Sequence, residues 1–255
     1  MIVWAIARNT AREAIRNKVL YSILFFAFLV VGISAVFGAA SIGDELKFIK
    51  DFSLLSISLF GVVTTVVLGV NLLHKELGKR TILNILSKPV ARWQFVLGKY
   101  VGLLCTLALL VGLMAAALSG FLGLLEGRVD WGLALASSAI LLELAVVLAV
   151  AVFFSCIVVT PTLAGLFTAA VFVAGRSAAH LRYFLEDPSG GFEDVVFSGL
   201  YAVLPHLHRF WISDQVVYGR AFSPEYFAYL ALYASSYAGA LLLLGIFFFS
   251  RREFV

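Results

Sequence analysis

Four stretches of this chain run for more than 20 residues without an Asp, Glu, Lys or Arg: Val19–Gly43, Phe52–Leu73, Tyr100–Leu125 and Tyr226–Ser250. A fifth, Trp131–Gly175, is 45 residues long with Glu143 as its one charge. A helix rises about 1.5 Å per residue and needs roughly 20 residues to cross roughly 30 Å of hydrocarbon, so each of the four is one span and the fifth is two. Thr160-Pro161 divides the fifth, threonine as N-cap and proline at the first helical position. Charged residues are 13% of the 255, against about 25% in soluble domains, which excludes an ordinary soluble fold. Cys105 and Cys156 both lie in apolar runs and read as packed small hydrophobes, not as a disulfide or metal site. The expected fold is an all-α polytopic membrane protein of six spans, placed at 19–43, 52–73, 100–125, 132–155, 161–179 and 226–250.

Orientation follows from where Lys and Arg fall in the short loops. With the N-terminus inside, the inner segments hold 12 basic residues against 3 acidic, and the outer segments 7 against 11. The formal charge of +4 therefore reports topology and not nucleic-acid binding, which needs basic groups gathered on one surface with base-reading side chains. The first span is expected to be retained and not cleaved as a leader, since its 25 apolar residues exceed the 7–15 of a signal core.

Two inner segments carry information. Ile2–Asn17 sets Arg8, Arg12 and Arg16 at i, i+4 and i+8, with Ile2, Val3, Ile6, Ala7, Ala11, Ala14 and Ile15 on the other side. That is an amphipathic helix expected to lie in the inner interface, with Trp4. The loop His74–Lys99, at 26 residues, is longer than a connector needs. It reads as helix, turn, helix: Glu76 to Leu86, a break at Ser87-Lys88-Pro89-Val90, and a restart at Arg92. Its Ile82, Leu83, Ile85, Leu86 ridge beside basic residues calls for lipid or a partner protein to cover it.

Glu76…Thr81-Ile82…Leu86-Ser87-Lys88-Pro89-Val90-Ala91-Arg92…Gly98-Lys99 resembles the first cytoplasmic loop of ABC-2 type transporter permeases. The likeness extends to the amphipathic start, the six spans and the long outer segment 180–225 with Leu204-Pro205 and Asp214. Arg80 departs from the pattern, standing where many relatives carry glycine. The resemblance implies a short coupling helix docking in a groove of a separate ATP-binding subunit, through Glu76, Arg80, Thr81, Leu83, Leu86, Ser87, Pro89 and Arg92. It also implies a second permease half, either another copy or a similar chain, in a bacterial cytoplasmic membrane with both termini inside, and helices before the last span that close the outer end of the path. No ATPase motif accompanies it: Leu73 and Trp93 stand where a phosphate-cradling loop ending at Gly78-Lys79 or Gly98-Lys99 needs glycine. ATP and Mg are thus expected on the partner, with no cofactor and no catalytic residue in this chain.

Glu143, near mid-depth, is expensive there by roughly 2.5–3.5 kcal/mol if ionised and must face protein or water. Read as unpaired, it either lines an interface or path or bonds a hydroxyl such as Ser137, Ser138 or Thr168. In the outer segment His206 and His208 would share a face only on a strand, whereas the apolar spacing there is helical, so no metal is expected. Phe210-Trp211 is expected at headgroup depth. Gly98 and Gly102, then Gly112, Ala116 and Gly120, have close-packing spacing. Competing functions are a secondary transporter using Glu143, a non-transporting scaffold that an ATPase drives, and an intramembrane enzyme. The last lacks a nucleophile and base at membrane depth.

Overall fold

The computed structural model describes residues 2–39, 45–78, 91–127, 130–186, 192–217 and 224–251, and every regular element among them is a helix. They are α1 (Ile2–Ile15), α2 (Lys18–Ala39), α3 (Glu45–Gly78), α4 (Arg92–Glu126), α5 (Trp131–Ile157), α6 (Pro161–Glu186), α7 (Phe192–Val203), a 3-10 turn (Leu207–Phe210), α8 (Ser213–Val217) and α9 (Pro224–Arg251). Five are long and apolar enough to cross a membrane, and a sixth candidate arises where α1 and α2, bent by 60°, are taken together. The chain is an integral membrane protein.

Local chemistry explains the boundaries. The Asn17 side chain accepts from the Val19 N–H at 3.0 Å, capping α2 and setting the corner after α1. The restart at Arg92 does not end in the loop: it continues as one helix of 35 residues to Glu126, where Gly127 closes it with φ 69°. Lys99 is accordingly 1% exposed inside α4, beside the Phe95 ring. Asp130 caps α5 by accepting from the Gly132 N–H at 2.9 Å, and its second oxygen holds Lys50 of α3 at 3.0 Å. Pro161 opens α6, which runs past residue 179 to Glu186.

The central helix is α5, packed against α3, α4, α6 and α9. Leu144, Val146, Leu148, Ala149 and Val152, which point to different sides of it, are all 0% exposed, as an all-round apolar helix requires. One end of the bundle gathers α1, the start of α2, the start of α4 and the end of α9. The other gathers the start of α3, the turn before α5 and the segment 204–217, where Ser213 donates to Asp51 at 2.8 Å.

Candidate functional site

Glu143 is buried at 0% exposure on α5, and it is not alone. Arg176 of α6 donates to one carboxylate oxygen at 2.9 Å, and the Ser58 hydroxyl of α3 faces the other at 3.5 Å. The same guanidinium nitrogen reaches Ser58 Oγ at 3.0 Å, so three helices meet on one triad. This corrects the expectation of an unpaired acid, and names a different hydroxyl. Ser137, Ser138 and Thr168 instead bond carbonyls of their own helices. The Arg176 side chain keeps 26% exposure and lies under the Trp211 ring, 4.4 Å from its centroid. A buried carboxylate thus contacts the outer segment through one cation.

Phe210 and Trp211 pack against the bundle: Phe210 is 0% exposed and Trp211 covers Arg176. Gly175 permits this approach, because a Cβ there would stand 2.5 Å from the Pro205 carbonyl oxygen. A tyrosine stripe on α9 stitches the same segment down. Tyr226 donates to the Arg209 carbonyl at 2.9 Å, Tyr237 to that of Val203 at 2.8 Å, and the Tyr233 hydroxyl accepts from the His206 N–H at 2.9 Å.

His206 and His208 come together after all, ring centroids 5.9 Å apart, because they flank and enter a 3-10 turn where helical spacing does not hold. The His206 Nδ1 is 3.2 Å from the Tyr233 hydroxyl, while His206 Nε2 and His208 Nδ1 are buried without partners. Burial and the neighbouring Arg209 charge lower both imidazole pKa values below 6.5. Among the described residues no group of three potential ligands surrounds them.

At the other end, α1 lays its apolar side on α4. A Cβ on Gly98 would meet Ile6 at 2.7 Å, and one on Gly102 would meet the Ala7 carbonyl oxygen at 2.5 Å. The first glycine pair thus joins two helices of this chain, while Gly112 and Gly120 have nothing within 4 Å. Arg8, Arg12 and Arg16 stay exposed on the opposite side. Arg92 donates to the carbonyls of Phe249 and Ser250 at 3.0 and 2.8 Å, satisfying acceptors that the end of α9 leaves open. Phe95 stacks on Phe249 beside it, centroids 6.1 Å apart. Glu76 lies in the described backbone of α3 without its side chain, and Arg80, Thr81, Leu83, Leu86, Ser87 and Pro89 lie outside the described residues.

Sequence reasoning missed Arg176 because it marked the end of an apolar run and was counted among the outer charges. A signal was present. Glu143 lies 17 residues before Thr160 and Arg176 lies 16 after it, so two helices folded back at that turn bring them to one depth.

A family model described as ABC-2 family transporter protein matches residues 4–176, more than half of the chain. The probable ABC transporter permease protein NosY of Pseudomonas aeruginosa is 37% identical over 126 residues, 46% of this chain and 45% of that protein. The protein of the same name from Stutzerimonas stutzeri is 37% identical over 139 residues, 51% of this chain and 49% of its own length. The chain spans about half the length of the curated relatives it matches.

Proposed function

The chain belongs to the ABC-2 family of transporter proteins, and from that premise we propose that it is the permease subunit of an ATP-driven exporter. The family match carries the reading. A separate ATPase subunit supplies hydrolysis and binds the segment between Glu76 and Arg92, and a second permease half completes the path. The termini and that segment face the cytoplasm of a bacterial inner membrane, a reading supported by the 12 basic residues that then fall inside.

The tie between Arg92 and the end of α9 supports a route for coupling. A push on the segment before Arg92 moves the start of α4, and two hydrogen bonds with a ring stack carry α9 along. Since α1 is seated on α4 at Gly98 and Gly102, it moves too. The remote triad at Glu143 then lies where α3, α5 and α6 must slide or hold together.

Copurification tests the assignment. An affinity-tagged chain retains an ABC ATPase subunit and stimulates its hydrolysis, and charge reversal at Glu76 or Arg92 weakens both. Intact complexes with full ATPase stimulation in both variants would defeat the coupling role. For Glu143→Gln, unchanged transport and unchanged stimulation would remove the acid from the working parts.

A further inference from the structure

The corner between α1, α2 and α3 encloses a cleft of about 660 Å³. Among the described residues, three cations, Arg12, Arg16 and Lys18, line it together with three amides, Asn9, Asn17 and Asn71, and with one acid, Glu13. Among the described residues none of the three cations has an ion-pair partner. The Asn17 oxygen is committed to capping α2, which leaves its amide N–H groups as donors. A cleft of donors with net positive charge is built for an anion.

Its depth specifies the source. The charge-free run of α3 ends at Leu73, two residues beyond Asn71, and that of α2 begins after Lys18, which sets the cleft at the level where hydrocarbon gives way to headgroups. Trp4, 65% exposed, stands on the same side of α1 as Arg8 and Arg12, four residues apart in each step, where an interfacial aromatic belongs. Basic pockets between membrane helices at this level take phosphate headgroups. We propose that the cleft binds the phosphate headgroup of one anionic phospholipid, which fastens the α1–α2 corner to the bilayer.

The test uses the full-length chain in nanodiscs of phosphatidylethanolamine with a minor fraction of cardiolipin or phosphatidylglycerol, lipid retention being read by native mass spectrometry after detergent release. The wild-type chain retains one anionic lipid in preference to phosphatidylethanolamine. Each arginine contributes about 5-fold, so R12Q/R16Q lowers the affinity about 25-fold. R12K/R16K, which keeps the charge, and R251Q, which removes an exposed charge outside the cleft at the same end, keep retention. Equal retention by R12Q/R16Q, or equal retention of phosphatidylethanolamine, overturns the proposal. Displacement of the lipid by millimolar inorganic phosphate overturns the lipid as source. Release of a copurified ATPase subunit by R12Q/R16Q with lipid affinity unchanged makes the cleft a protein-docking face, which also overturns it.

Discussion

Arg176 changes what Glu143 means. An isolated acid at mid-depth is a functional candidate by default, but a pair with 2.9 Å geometry and a serine beside it is also a structural clamp. The two roles separate by substitution. Arg176→Met strands the carboxylate with one hydroxyl and is expected to cost about 3–5 kcal/mol, the penalty of leaving a buried charge without its partner. Glu143→Gln keeps an acceptor for Arg176 and costs less. Thermal unfolding in detergent of both variants and of Glu143→Gln/Arg176→Met reads this: the double variant recovers part of the Arg176→Met loss. Strictly additive losses would mean the pair is not a unit. This pairing was only half legible in the sequence. The acid announced itself by standing alone in 45 residues, whereas the base looked like an ordinary end-of-span charge until the helix was seen to continue through it.

At the scale of the helix, small-residue spacing was legible but its target was not, because spacing tells which side is slim and not what lies against it. Gly102 faces the backbone of α1, and Gly112 faces open space. Gly102→Ala therefore drives a methyl into the Ala7 carbonyl, which cannot yield as a side chain would, and is expected to destabilise by about 1–3 kcal/mol. Gly112→Ala instead removes backbone freedom at no steric expense and stabilises by up to about 1 kcal/mol. Melting temperatures together with tryptic cleavage at Arg8 and Arg12 check the pair: faster cleavage in Gly102→Ala alone places the effect at the α1 contact. The 3-10 turn supports a second expectation. Both its imidazoles have pKa values below 6.5 when docked, so docking favours neutral rings. The docked segment is then fully stable above about pH 6.5 and weakens as pH falls below that value, because the undocked rings take up protons first. Hydrogen-exchange protection of residues 204–211, taken relative to the intrinsic amide rate at each pH, should fall between about pH 7.5 and 5.5, and less so in His206→Gln/His208→Gln. Protection independent of pH would refute it.

The whole molecule has two unlike ends, and an all-helical bundle of five to six candidate spans was legible because bilayer thickness fixes helix length almost regardless of sequence detail. What periodicity could not supply was the closure of each end. Beyond the apolar spans lie contacts set by single residues far apart in the chain: Lys50 with Asp130, Asp51 with Ser213, Arg92 with Phe249 and Ser250. These contacts leave the α1 end with exposed arginines and give the other end paired or capping acids. If the α1 end is cytoplasmic, an impermeant maleimide added outside intact cells labels Trp131→Cys, whose position is 78% exposed next to the α5 cap, and leaves Asn9→Cys unlabelled until the membrane is opened. Background is limited by geometry, since Cys156 is buried and Cys105, though exposed, sits well inside the apolar stretch of α4. The reverse labelling pattern would invert the molecule. It would put the Glu76–Arg92 segment out of reach of any cytoplasmic ATPase, so this one measurement bears on orientation and on coupling at once.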